Sequence, residues 1–470
     1  MVFNSFIFLF GFLPVTLAGF KICRHFWEAE FGTVFLILAS LVFYGWNYPQ
    51  CLPVLLGSML VNFLLVKMVP SRWGKPIGIM INVGVLFFFK FGKLLWGLDG
   101  DVMAAPGISF FTFSQIAFLM ESYRGNLTGM DAKQYGLYIT FFPKLMQGPL
   151  VMPEDFGEKQ KGETKADWEN ILRQLLLITL GLFKKVLLAD TLGKAVSIGY
   201  EGISGLNSLD AAIVMLSYTL QLYFDFSGYC DMAMGIAALF GYELPLNFDS
   251  PYRAENIIEF WKRWHITLTR FLTKYVYIPL GGNRKGRFRM YLNYLVVFLV
   301  SGIWHGAGWQ FVIWGMMHGV LYVITKFLSQ NKKSENRIIR VGKVIFTFAY
   351  VNLAWVFFRA PSVKDAFLFL NRLFTGGIGK INWELAGAFN LDEFWYIIKL
   401  LGVDSWQYAH YIIMLFLLFV MLVLIFACPN AVKIAQKSKL TTTTIIAMAV
   451  LLVWSVLSFS GVSTFLYFNF

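Results

Sequence analysis

Residues 290–328 read MYLNYLVVFLVSGIWHGAGWQFVIWGMMHGVLYVITKFL. Two apolar runs, 290–305 and 308–328, flank a glycine-containing turn next to His305. A membrane-crossing helix needs about 20 mostly apolar residues. The first run leaves a basic loop holding Arg284, Lys285, Arg287 and Arg289. The second returns to another, with Lys332, Lys333, Arg337, Arg340 and Lys343. Loops rich in lysine and arginine stay on the cytoplasmic side. The stretch therefore predicts a helical hairpin that leaves and re-enters that side, with SGIWHGAGWQF (301–311) at its tip, in or near the outer half of the membrane.

The rest of the chain has the same character. Of 470 residues, 57% are hydrophobic and 14% charged, against roughly 25% charged in soluble domains. Mean hydropathy is +0.62. A soluble fold would leave large apolar patches exposed, so the composition points to an integral, all-α membrane protein. Further apolar segments lie near 3–20, 31–46, 51–69, 76–97, 108–121, 170–188, 209–223, 227–241, 340–358, 408–428 and 441–460. Together with the hairpin they predict about 10–13 membrane helices, plus re-entrant and amphipathic interfacial pieces. The expected organisation is one membrane domain over 1–470: N-terminal helices in 1–130, a core in 131–330 and C-terminal helices in 331–470.

The net charge is +13. The basic residues sit in short loops between apolar segments, including Lys21 with Arg24, and Lys67 with Arg72 and Lys75. That is a topology signal with added attraction to anionic lipid, and it argues against nucleic acid as a partner. Met1–Phe6 and the acidic Leu98–Asp101 should face outward. The first twenty residues lack a basic n-region and read as a retained helix. Cys23, Cys51, Cys230 and Cys428 form no CxxC and read as small apolar residues. Asn126-Leu127-Thr128 matches a glycosylation acceptor, a pattern frequent by chance.

Five histidines are present: His25, His265, His305, His318 and His410. His25 and His410 lie near segment ends. On a helical wheel through Glu259–Gly282, His265 shares an apolar arc with Trp261, Trp264, Leu268, Phe271, Leu272, Tyr275 and Val276. Lys262, Arg263, Thr269, Arg270, Thr273 and Lys274 take the opposite arc, although Ile266 and Tyr277 also fall there. One amphipathic helix with His265 facing inward is expected. His265 and His305 are then two ionisable rings buried at membrane depth, which points to function. A neutral imidazole accepts a proton near neutral pH, and burial favours the neutral form. His318 reads as packing.

Asp225 and Asp231 would lie about 120° apart on one helix and so form no acid/base dyad. They read as structural, Asp225 bonding backbone or orienting a histidine. Ser227-Gly228 is a candidate helix break. The segment YGLYITFFPKLMQGPLVMP (135–153) is apolar but proline-broken. It is either a re-entrant segment lining a cavity or a loop at the interface. No phosphate-binding glycine loop, GxSxG elbow, HExxH or carboxylate cluster with metal spacing occurs. That disfavours a hydrolase, an ATP-driven pump and a metal enzyme.

Several ordered stretches carry a resemblance: MVFNSFIFLFGFLP, FFPKLMQGPL, YFDFSGYCDMAMGIAALFG, PLNFDSPYRAENIIEFWKRWHITLTRFLTKYVYIPLGGNR, SGIWHGAGWQFVIWGMMHG and the closing STFLYFNF. The chain resembles the membrane-bound O-acyltransferases, and within them the bacterial alginate O-acetyltransferase branch. The resemblance implies acyl transfer in the bacterial inner membrane, with His305 as the catalytic histidine and His265 as the second histidine near the reaction chamber. It implies acetyl-CoA as donor, no metal, and an extracytoplasmic SGNH-type transferase that passes the acetyl group to an exported polysaccharide. Arg284, Lys285 and Arg287 either attract the CoA phosphates or only set topology. A D-alanyl transferase for teichoic acid, from the same superfamily, and a polysaccharide or lipid-linked-sugar transporter are the alternative readings.

Overall fold

A computed structural model describes residues 1–97, 106–127, 130–157, 168–328, 336–400, 402, 406–461 and 465–466. Leu98–Asp101, Thr128, Lys332, Lys333 and most of STFLYFNF lie outside the described residues. Helices dominate, and among the described residues there is no β-strand. Six helices are long and apolar enough to cross a membrane: Ile7–Phe26, Pro49–Met68, Ser71–Gly92, Trp309–Leu328, Arg337–Arg359 and Ala409–Phe426. Glu30–Gly45 and Thr442–Leu457 are shorter apolar helices. The chain is a multi-pass helical membrane protein.

The helices that frame the interior are, in chain order, α1 (Ser71–Trp96), α2 (Ile108–Tyr123), α3 (Ala132–Thr140), α4 (Trp168–Leu182), α5 (Ser208–Leu239), α6 (Ile257–Arg263), α7 (Ile266–Leu272), α8 (Arg287–His305), α9 (Trp309–Leu328) and α10 (Arg337–Arg359). Asparagine side chains satisfy the exposed N–H groups at several starts. Asn207 accepts from Leu209 and Asp210, Asn256 from Glu259, and Asn336 from Ile338.

Two sequence expectations need correction. Segments 209–223 and 227–241 are one helix, α5, and Ser227-Gly228 does not break it. Gly228 serves a crossing instead. A Cβ there would stand 2.8 Å from the Gly181 carbonyl oxygen, and one on Gly181 would stand 2.7 Å from that of Gly228. Bare backbones let α4 and α5 touch. Glu259–Gly282, in turn, is not one helix. It breaks at Trp264–His265 into α6 and α7, followed by a π-turn at Thr273–Tyr277. The periodic pattern was real, but tertiary hydrogen bonds described below override it.

The hairpin of α8 and α9 forms as its sequence predicts, with His305 ending the first arm. A Cβ on Gly302 would lie 2.5 Å from the Phe311 carbonyl oxygen. A Cβ on Gly306 would strike the Phe311 ring at 2.2 Å. Glycine here admits the neighbouring helix.

Segment 135–153 is buried throughout. Its approach is tied down by Lys133, which pairs with Glu30, and its exit by Asp155 and Glu154, which pair with Arg270 and Lys274. Lys274 also reaches Glu121 at 3.1 Å, at the end of α2. Phe156 stacks on Tyr242 at 5.4 Å. Broken backbone thus enters and leaves within protein, as a re-entrant segment must.

Helices α1 and α8 run the same way. Lys90 of α1 donates to the carbonyl of Trp304 in α8. At 1.5 Å per residue, Lys90 lies about 28 Å along α1 and Trp304 about 26 Å along α8. A second set of contacts fixes their sense: Tyr277 stacks on Tyr294 of α8 at 4.8 Å, the neighbouring Tyr275 donates to Glu121 of α2 at 2.9 Å, and Tyr123 of α2 meets Gly74 of α1, so α1 and α8 start at the same end of the bundle.

Candidate functional site

The site starts with Asn247, which sequence reasoning passed over. Its side-chain oxygen accepts from the Thr267 backbone N–H at 3.2 Å and the Thr267 hydroxyl at 2.9 Å. A backbone N–H can only donate, so this atom is oxygen and the amide orientation is settled. His265 Nδ1 lies 3.2 Å from the same oxygen. Nδ1 must then carry the proton, and Nε2 holds the lone pair. Asn247 Nδ2 donates to Cys230 Sγ at 3.3 Å.

Backbone bonds add to this clamp. The Ile266 N–H donates to the Asn247 carbonyl at 3.0 Å, and the Asp249 N–H to the Arg263 carbonyl at 2.9 Å. The loop before α6 thereby splices into the α6–α7 junction and breaks the helix. His265 takes φ +45°, and Ser250 is the other described non-glycine residue with positive φ. Backbone held in this costly region marks functional positions. The re-entrant segment buttresses the junction, since the Leu150 N–H donates to the Thr267 hydroxyl at 3.2 Å.

The inward, buried placement expected of both histidines holds: His265 is 1% exposed and His305 3%. Trp304 stands between them. Its ring lies 6.4 Å from that of His265 and 4.5 Å from that of His305. Trp314 and Phe358 close on His305, each at 5.0 Å. The structure therefore gathers α7, α8, α9 and α10 around one pair of rings. An oriented nitrogen and a buried imidazole, walled by aromatic groups that exclude water, can move a proton in an apolar setting.

Other singled-out residues go elsewhere. His318 is buried, and its Nδ1 accepts from Trp261 Nε1 at 3.3 Å, a packing role. His25 is exposed at a helix end. His410 Nδ1 lies 2.7 Å from Asn390 Nδ2, away from the pair. Asp225 orients no histidine. Lys185 bridges Asp190 and Asp225, each at 2.8 Å, and Lys184 pairs with Asp231 at 2.6 Å. Among the described residues no group of three or more His, Cys, Asp or Glu gathers in metal-binding fashion.

Arg284, Lys285 and Arg287 are exposed at the far end of α8, about 27 Å of helix from His305. A mostly apolar cavity of about 190 Å³ bridges part of that distance, lined among others by Tyr277, Tyr294, Phe298 and Ser301. Tyr294, Val297, Phe298 and Ser301 recur at three- and four-residue steps on α8, and the next step is His305. The cavity follows the helix face that ends at the histidine.

Replacing Asn247 with leucine should lower turnover about 5- to 150-fold, by freeing the His265 tautomer and leaving the Thr267 N–H unpaired. Radiolabelled acyl transfer in membranes, the activity the sequence resemblance implies, normalised to protein abundance, checks this. Unchanged turnover would make the clamp dispensable.

Comparison with known proteins adds the chemistry. The description "MBOAT, membrane-bound O-acyltransferase family" matches residues 31–360. A peptidoglycan O-acetyltransferase of Helicobacter pylori is 37% identical over 413 residues, covering 78% of each chain. A probable alginate O-acetylase of Pseudomonas aeruginosa is 32% identical, over 82% of this chain and 76% of its own. A teichoic acid D-alanyltransferase of Bacillus subtilis is 29% identical, over 55% and 69% respectively.

Proposed function

The chain belongs to the membrane-bound O-acyltransferase family, and from that premise we propose that it carries acetyl groups from cytoplasmic acetyl-CoA across the bacterial inner membrane for O-acetylation of a cell-envelope glycan. The observation that carries this reading is the cavity along α8, which rises from the end bearing the basic loop toward His305. The O-acetylating relatives match more of this chain than the D-alanylating one does, so acetyl is favoured over D-alanyl. The greater identity to a peptidoglycan-acetylating relative favours peptidoglycan over alginate as the final acceptor.

His305 takes the proton of the acceptor hydroxyl as that oxygen attacks the thioester carbonyl. The carbon–sulfur bond then breaks, and the coenzyme thiolate leaves with the proton. His265, presenting Nε2, positions the reactants. The apolar walls keep water from the thioester. The acceptor hydroxyl belongs to an SGNH-type partner beyond the membrane, which completes transfer to the polymer.

Membranes given labelled acetyl-CoA should accumulate base-labile acetyl on that partner or the glycan. No transfer above a vector control would overturn the reading. Neutralising the loop as Arg284→Gln, Lys285→Gln and Arg287→Gln together should raise the KM for acetyl-CoA about tenfold, with kcat near wild type. An unchanged KM would leave the loop a topology signal.

A further inference from the structure

Lys90 is an ionisable side chain that this chemistry does not use. It lies in FFFKFG (87–92) within α1, a helix of membrane-crossing length. A lysine at membrane depth is costly, and such residues mark functional positions. Lys90 is half-buried, and its ammonium donates to the Trp304 carbonyl, in the last turn of α8. It also sits over the Trp304 indole, 5.1 Å from the ring centroid. Among the described residues no carboxylate pairs with it.

The last carbonyls of a helix lack partners within it and carry partial negative charge. A water, a serine or an asparagine would satisfy one of them at less cost than a charge in an apolar region. Lys90 instead brings its side-chain nitrogen to the carbonyl just before His305. His305 follows Trp304 without a linker, and Gly306 after it leaves the helix in extended backbone. The Trp304 carbonyl is thus the last fixed point before the reactive ring. The Lys90 nitrogen lies over the Trp304 indole, whose ring centre is 4.5 Å from that of His305, so a charge on it stands near that ring.

We propose that Lys90 is a positioning residue for His305: it fixes the end of α8 through the Trp304 carbonyl, sets the direction in which the imidazole meets the thioester, and keeps a positive charge beside the reaction centre. The proposal rests on the acyl-transfer reading above. Its electrostatic part follows from the negative charge that builds on an acyl oxygen under attack.

The test uses the full-length protein in its own membranes, with a concentration series of labelled acetyl-CoA and base-labile acetyl as the readout. Wild type and His305→Ala are run beside Lys90→Met, Lys90→Gln and Lys90→Arg, all matched for abundance. Lys90→Met should lower the maximal rate about 10- to 150-fold, with the KM for acetyl-CoA within about twofold. Lys90→Arg, which keeps charge and donor, should stay within about fivefold of wild type. Lys90→Gln, which keeps a donor but no charge, should fall between them, and it decides the matter if the methionine variant fails to accumulate. A methionine or glutamine variant as active as wild type overturns the proposal while leaving the function intact. An arginine variant as slow as the methionine one, at normal abundance, also overturns it. If wild type itself transfers nothing from acetyl-CoA, the functional reading falls and Lys90 with it.

Discussion

His305→Ala should abolish measurable acetyl transfer, with a loss of about 10²- to 10⁴-fold if the ring acts as general base. The ring lies 3% exposed, with Trp304, Trp314 and Phe358 packed around it. Alanine removes the proton acceptor and leaves an apolar gap, so a modest stability loss is also expected. Turnover per folded molecule separates the two effects. Membrane abundance and melting in detergent are measured on the same preparations, and His305→Gln, closer in volume, serves as a second variant. Activity above a third of wild type in either folded variant would remove His305 from the chemistry. His265→Ala should also lose most of its turnover; a mild loss would make that ring structural.

The largest stability effect should come from Lys185→Met. This ammonium is inaccessible to solvent and holds two carboxylates, Asp190 and Asp225, at 2.8 Å each. Asp225 also accepts from the Leu466 N–H at 3.1 Å. Removing one partner of a buried ion pair leaves uncompensated charge and costs about 3–5 kcal/mol. A sharp fall in the detergent melting temperature, or loss of accumulated protein, is the expected outcome. Adding Asp225→Asn should recover part of the loss, because the two sites are coupled. If Lys185→Met melts like wild type, the network contributes little to stability.

Periodicity and charge made some parts of this architecture legible. The 290–328 hairpin could be read because its apolar runs, its glycine turn and its basic flanks all agree, and the buried His305 tip followed from it. His265 was placed inward for a reason that did not survive. The wheel assumed a continuous helix, whereas Asn247 and Asp249, from a loop earlier in the chain, hydrogen-bond into the junction and split it. A local pattern cannot see a bond from 14 or more residues away. Gly228 misled in the opposite direction: glycine in a long helix reads as a break, yet here it admits Gly181. Lys90 carried a legible signal, a lone lysine among phenylalanines, but the segment was read only as a span. Asn247 carried none, since a single asparagine before a loop has many ordinary explanations.

The Asn247 clamp bears on how charge moves through the protein. The Asn247 oxygen accepts from His265 Nδ1 and from Thr267, and an amide oxygen has no proton of its own to hand onward. A hydrogen ion arriving at His265 Nε2 therefore finds no exit through the other side of the ring. Under the proposed mechanism His265 positions the reactants, and the hydrogen taken up at His305 leaves with the departing thiol. In the mechanism proposed above, each acetyl group would then cross as an electrically neutral cargo.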